Sequence, residues 1–146
     1  MAIDLKFKQD SKGNWDIDFA NGDFELTNGL DTAIYMSVFC EARASASQVS
    51  EPTNRRGHFT NIFNRVEGYQ VGSLLWLYTT QSKNTESNLK LIEGAVFNGL
   101  KWMIEDGLIS KIEVTATKSG TGVDLNIGLI NELQKDSKYY NLFLAT

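Results

Sequence analysis

The stretch from Thr85 to Gly107 constrains the fold more than any other part of the chain. Leu89, Ile92, Val96, Leu100 and Met103 recur at steps of three and four, which places them on one face of a helix. Leu91, Ala95, Phe97, Gly99, Trp102 and Ile104 widen that face, leaving a narrow polar strip of Lys90, Asn98, Lys101 and Glu105. The spacing predicts a helix over about 86–106, covered on most of its circumference, with the remaining chain packed around it. Thr85 is placed to cap its start, with Glu86 in the first turn, and Gly107 to stop it. Glu105 and Asp106 lie where the helix macrodipole is already negative. We read them as solvated acids rather than as acids awaiting a cation.

A chain of 146 residues is long enough for one domain with a real core, and the whole span 1–146 reads as that domain. Fourteen basic against eighteen acidic side chains give a net charge of −4 and a pI near 5.0, with no basic run. That balance argues against a nucleic-acid partner and against a membrane surface. The apolar block Leu74–Tyr78 is too short to span a bilayer. Met1-Ala2-Ile3-Asp4 lacks the basic start and apolar block of a secretory signal. Cys40 is the single cysteine, so an intrachain disulfide is excluded and a reducing compartment is expected. One histidine and one cysteine make no zinc set, and the carboxylates show no cation-loop signature. The expectation is a protein without cofactor, metal or small-molecule substrate.

Taken in order, Ile3, Leu5 and Phe7 alternate with charged residues as a half-buried strand. Ser11-Lys12-Gly13-Asn14 is a turn to a partner strand with Trp15, Ile17 and Phe19 on one face, and Asn21-Gly22-Asp23 turns again into Phe24–Thr27. The opening is therefore a small antiparallel meander. After the break at Asn28-Gly29, Asp31 is a good N-cap, with Leu30 and Tyr35 positioned as a hydrophobic staple. Ile34, Val38 and Ala42 mark the buried stripe of a helix over 32–46, with Cys40 inside it. Gly72–Thr80 is an apolar block too short for periodicity to separate a buried strand from a short helix, and we take it as a short helix capped by Ser73. Ile109, Ile112, Val114 and Ala116 lead to the turn Ser119-Gly120-Thr121-Gly122 and then to a strand alternating Val123, Leu125, Ile127 and Leu129. Asp136-Ser137-Lys138 is a further turn, with a last strand over Tyr139–Leu144. The fold class is α+β, with two main helices on a small, mainly antiparallel sheet and a C-terminal hairpin.

Gln48 to Asn64 is the least regular stretch, and irregular segments of this length in a compact domain tend to be functional. It holds the only proline, Pro52, then Arg55, Arg56, Gly57 and the only histidine, His58, followed by Phe59 and Phe63. Two adjacent arginines before a glycine can present guanidinium forks to carboxylates or backbone carbonyls. We take Arg55, Arg56, Gly57 and His58 as the candidate partner-binding residues. Catalytic alternatives are weaker. Cys40 with His58 could be nucleophile and base, yet Cys40 falls inside a predicted helix, not at a helix start where a thiolate is favoured. Glu41 and Glu51 could be an acid pair of glycosidase type, but eighteen acids make chance pairs easy. Gly120-Thr121-Gly122 leads into a strand, so no helix N-terminus waits there for phosphate. His58 reads as a loop residue making a hydrogen bond.

Several stretches in this order resemble a known family: Gly22-Asp23-Phe24-Glu25-Leu26, Gly29-Leu30-Asp31-Thr32-Ala33-Ile34, Asn54-Arg55-Arg56-Gly57-His58, Gly72-Ser73-Leu74-Leu75-Trp76-Leu77, Trp102-Met103-Ile104-Glu105-Asp106-Gly107 and the closing strand pair. Their order and spacing are similar to the small baseplate wedge protein of Mu-like contractile phages, a relative of lysozyme-like wedge proteins of other contractile tails and of type VI secretion baseplates. In that family the arginine motif usually reads Asp-Arg-Arg-Gly followed by tryptophan, whereas Asn54 and His58 stand at those positions here. The resemblance implies an α+β wedge without enzymatic activity, assembled in the host cytoplasm and resident in the tail baseplate of the virion. The implied partners are larger wedge subunits and the tail sheath or tube proteins. A peptidoglycan hydrolase of the baseplate and a small cytosolic regulatory adaptor are the competing expectations.

Overall fold

The computed structural model describes residues 4–27, 30–63, 70–81 and 85–145. The expectations for Met1–Ile3, Asn28-Gly29 and Asn64 fall outside them. The N-terminal third contains six short strands: β1 (Asp4–Leu5), β2 (Phe7–Gln9), β3 (Trp15–Ile17), β4 (Phe19–Ala20), β5 (Asp23–Phe24) and β6 (Leu26–Thr27). They pair antiparallel, β2 with β3 and β4 with β5 as the meander predicts, and β1 with β6 in addition. A simple meander would leave its first and third segments apart. Here the three segments close on one another through a ring of backbone bonds, Lys6 N–H to Glu25 O (2.9 Å), Glu25 N–H to Asp18 O (2.9 Å) and Asp18 N–H to Lys6 O (2.8 Å). Lys6 and Lys8 both pair with the Asp18 carboxylate at that junction.

Helix α1 (Leu30–Phe39) is followed by an irregular segment, then α2 (Leu75–Gln81), α3 (Glu86–Leu100) and α4 (Trp102–Glu105). Thr85 caps α3 through its hydroxyl, which accepts the Asn88 N–H at 3.3 Å. The chain stays helical at Lys101 but tightens there, where the Ile104 N–H reaches back only three residues to the Lys101 carbonyl. Gly107 ends the run at φ +74, a left-handed conformation that glycine adopts without cost. Glu105 pairs with Lys101 one turn earlier, so the cation it meets comes from its own helix. Ser73 lies two residues before α2, and its hydroxyl accepts the N–H of the first helical residue, Leu75, at 3.2 Å.

Three long strands complete the fold, β7 (Lys111–Ser119), β8 (Gly122–Asn131) and β9 (Asp136–Leu144), in the antiparallel order β7-β8-β9. Val123, Leu125 and Ile127 face inward in register with Leu144, Leu142 and Tyr140, and Leu129 extends the same buried face. Their partners in the core are Ile34, Val38, Leu75, Ile92, Val96, Leu100 and Met103 from the helices. The central position of α3 follows from its stripe, since Ile92, Val96 and Leu100, continued by Met103 on α4, have no measurable exposure.

Three expectations are corrected. Helix α1 stops at Phe39, not at residue 46, because Cys40–Ala42 leave the helix to run beside residues 72–73. The Ser73 N–H donates to the Cys40 carbonyl and the Ala42 N–H to the Ser73 carbonyl, both at 3.0 Å. Ala42 and Ala44 are buried by the period-two alternation of an extended segment. Asp31 is the second residue of α1, not its cap, and Leu30 lies inside the helix. The last turn falls at residues 132–135, before Asp136-Ser137-Lys138, because the Asn131 carboxamide accepts the Gln134 N–H (3.2 Å) and Lys135 takes the left-handed φ of +51. Strand β9 accordingly starts at Asp136.

Candidate functional site

The irregular segment after α1 is organised by three arginines. Arg43, which the sequence reading placed in a helix, lies on the extended run 41–44. Its guanidinium donates to the Arg56 carbonyl (3.0 Å) and the Pro52 carbonyl (3.2 Å), holding the far side of the loop. The backbone adds a tie from the Ala44 N–H to the Arg55 carbonyl at 2.9 Å. Arg55 is half-buried and turned back into the loop, its Nε donating to the Val49 carbonyl (2.8 Å) and a terminal nitrogen to the Ser50 carbonyl (2.9 Å). The preceding 3-10 turn, Pro52–Asn54, is capped by Glu51, whose carboxylate accepts from the Thr53 N–H and hydroxyl.

Arg56 is the arginine that faces outward. It takes a left-handed φ of +54, uncommon for a residue with a side chain. Its guanidinium bonds the Glu41 carboxylate at 2.5 Å and lies over the Trp76 ring, 4.6 Å from the centroid. Trp76 is fixed beneath it by a bond from its indole N–H to the Ala42 carbonyl (2.8 Å). The Arg56 side chain nevertheless remains 42% exposed, so one face of the fork is accessible. Gly57 follows at φ +126, and a Cβ there would stand 3.2 Å from the Arg43 Cβ. This close approach is the physical reason for glycine after the arginine pair.

His58 caps a second 3-10 turn, Phe59–Ile62. Its Nδ1 accepts the Thr60 N–H at 3.3 Å and lies 2.6 Å from the Thr60 hydroxyl oxygen. The ring stacks on Phe59, 4.7 Å between centroids. Cys40 lies just beyond α1, half-buried, and burial pushes its thiol above the ordinary range, helped by the Glu41 charge. Of the two acids weighed as a pair, Glu41 is held by Arg56 and Glu51 by Thr53. Among the described residues no three His, Cys, Asp or Glu side chains group as a metal site, and no helix is long and apolar enough to cross a membrane.

The four residues singled out from sequence are thus brought into one structure, with Arg55 and His58 directed at their own loop and Arg56 outward. Arg43, Glu41 and Trp76 complete the arrangement and were not read as part of it. Arg43 was hidden in an apparent helical period, and Trp76 in an apolar block. A family model described as phage protein GP46 matches residues 30–137, the span that contains this loop, all four helices and strands β7 and β8. The chain belongs to that family of phage proteins. No curated protein matches it. Within the span of this GP46-family chain, the arginine loop packs against α2 through Trp76, so its position is tied to the helical core.

Proposed function

We propose that this GP46-family chain is a structural subunit of a contractile phage tail, a baseplate wedge protein that binds larger wedge subunits and helps to start sheath assembly. The observation that carries the reading is the outward guanidinium of Arg56, set on a braced loop in a protein of a phage family. A fork already oriented by Glu41 and Trp76 loses little freedom on meeting a neighbour's carboxylate or carbonyl. The resemblance to Mu-like wedge proteins over nearly the whole chain supports the same role and a place in the virion. The partners on this reading are proteins, and the wedge has no bond-breaking chemistry of its own.

The edge of the C-terminal sheet offers a second contact. The Gln9 carboxamide bonds both the N–H and the carbonyl of Phe143 at 2.8 Å, closing one end of the β9 edge. By strand alternation, the backbone groups of Ser137, Tyr139 and Asn141 point the same way as those of Phe143 and can accept an added strand. On the opposite edge, the Glu93 carboxylate takes the Ala116 N–H at 3.0 Å.

Replacing both arginines would confound loop stability with binding, because Arg55 holds its own loop. The informative variant is Arg56→Glu alone, introduced into the phage genome that encodes the chain. Purified tails should lack the variant subunit and sheath while the isolated protein folds normally. Intact sheathed tails carrying Arg56→Glu at wild-type amounts would remove Arg56 from the interface. Release of fragments from peptidoglycan by the purified protein would overturn the purely structural role.

A further inference from the structure

We infer that Phe59 and Phe63 form an apolar plug that seats in a carboxylate-rimmed cleft on a different tail protein, an inference that rests on the wedge-subunit reading. Phe59 is 70% exposed and Phe63 76% exposed, within five residues of one another on a single short turn. A folded chain that leaves two phenylalanines in water forgoes burial that it could have used in its own core.

The turn is held in shape before any partner arrives. His58 caps it from the N-terminal side and stacks on the Phe59 ring. The Phe63 N–H returns to the Thr60 carbonyl at 3.1 Å, and the Asn61 carboxamide oxygen accepts the Val71 N–H at 2.8 Å. Preorganised aromatic side chains bury large area with little loss of freedom, which is the composition of an interface centre.

Charge identifies the complement. From Glu41 to Phe63 the chain carries three arginines against two carboxylates, Glu41 (paired with Arg56) and Glu51, an excess of positive charge although the whole chain has a net charge of −4. Arg43 and Arg55 donate to backbone carbonyls, and among the described residues neither forms an ion pair with a carboxylate. A loop that carries two exposed phenylalanines and more guanidinium than carboxylate groups is matched by an apolar recess with aspartates or glutamates at its rim. A second copy of this chain is a poor match. Its apolar cleft of about 260 Å³ between β3 and α2, bounded by Trp15, Phe39, Leu75 and Trp76, has no carboxylate in its lining. A groove that holds Asp10 and Asp124 has Trp15, Leu142 and Phe143 in its lining but is otherwise made of amides and hydroxyls, including Gln9, Thr117, Asn126 and Asn141.

The test places a photo-crosslinking amino acid at position 59 or 63 of the full chain during particle production, with Leu133, 94% exposed, as the control position. Crosslinks from 59 and 63 should map to a cleft bearing Asp or Glu on another tail protein and exceed those from 133. The pair Phe59→Ser and Phe63→Ser should lower incorporation into tails by roughly tenfold or more, with the unfolding midpoint unchanged. Crosslinks confined to a second copy, to a surface without carboxylates, or no stronger than at 133 would overturn the inference. So would normal incorporation of the double variant. Absence of the chain from purified tails would instead remove the wedge reading itself.

Discussion

Arg55 and Arg56 are neighbours with opposite assignments. Arg55 closes its loop through two carbonyls from a half-buried position, so truncating it leaves those carbonyls without their charged donor. Hydrogen bonds to charged groups contribute about 1.5–3 kcal/mol when sheltered, and partial exposure lowers that figure. Arg55→Ala should therefore destabilise the isolated protein by about 1–2 kcal/mol in urea unfolding. Arg56 makes an exposed ion pair with Glu41, and exposed pairs contribute at most about 1 kcal/mol. Arg56→Ala should shift the urea midpoint little. Equal losses from both substitutions would show that the outward arginine is also a brace. The sequence located this pair because two forks before a glycine are unusual chemistry. It could not divide them, because the division depends on which carbonyls the loop brings within reach.

Helix α3 shows at the scale of an element what periodicity can and cannot convey. Its apolar stripe, its threonine cap and its glycine stop were all legible, since each depends on residues within one or two turns. The end of α1 was not. Ile34, Val38 and Ala42 satisfy a helical spacing, while Ala42 and Ala44 satisfy an extended one, and contact with residues 72–73 decides between them. Gly72 makes that contact possible, for a Cβ there would lie 2.3 Å from the Cys40 carbonyl oxygen. The two glycines of α3 can be separated in the same way. A Cβ at Gly94 meets nothing within 4 Å, whereas one at Gly99 would stand 2.7 Å from the Ser37 carbonyl oxygen and 2.8 Å from the Ser73 Cβ. Gly94→Ala should stabilise the protein by about 0.5–1 kcal/mol through helix propensity. Gly99→Ala should cost about 1–3 kcal/mol by forcing α1 and α2 away from α3. Thermal unfolding of the two variants checks both signs, and stabilisation by both would mean that the three helices pack more loosely than described.

At the scale of the whole molecule, Asp31 ties together parts of the chain that sequence could not place side by side. Its carboxylate accepts from the Thr27 hydroxyl at the end of β6, and from Lys138 and the Tyr140 hydroxyl on β9. Read locally, Asp31 was a helix cap; its partners more than a hundred residues away were invisible to any local pattern. Burial pushes its carboxyl upward, but the hydrogen bonds from Lys138, Tyr140 and Thr27, with the Lys138 charge, outweigh burial and hold it below the ordinary carboxylate range. Burial and the Asp31 contact likewise hold the Tyr140 phenol well above its usual range, so it remains a donor wherever Asp31 is ionised. The linkage has one sign. A carboxyl lowered by folding adds stability that is fully present above the unfolded value, about 3.9, and is lost as pH falls through the lower folded value. Stability of the intact chain should thus decline as pH drops below about 4, and Asp31→Asn should flatten that decline while lowering stability at neutral pH. Asp10 and Asp18 are also lowered, by hydrogen bonds from Asn14 and Lys8 respectively, so part of the acid limb should survive the substitution. Urea midpoints collected from pH 7 to pH 2.5 for the two proteins give the comparison. An acid limb of unchanged slope in Asp31→Asn would show that the junction of α1, β6 and β9 is held by packing alone.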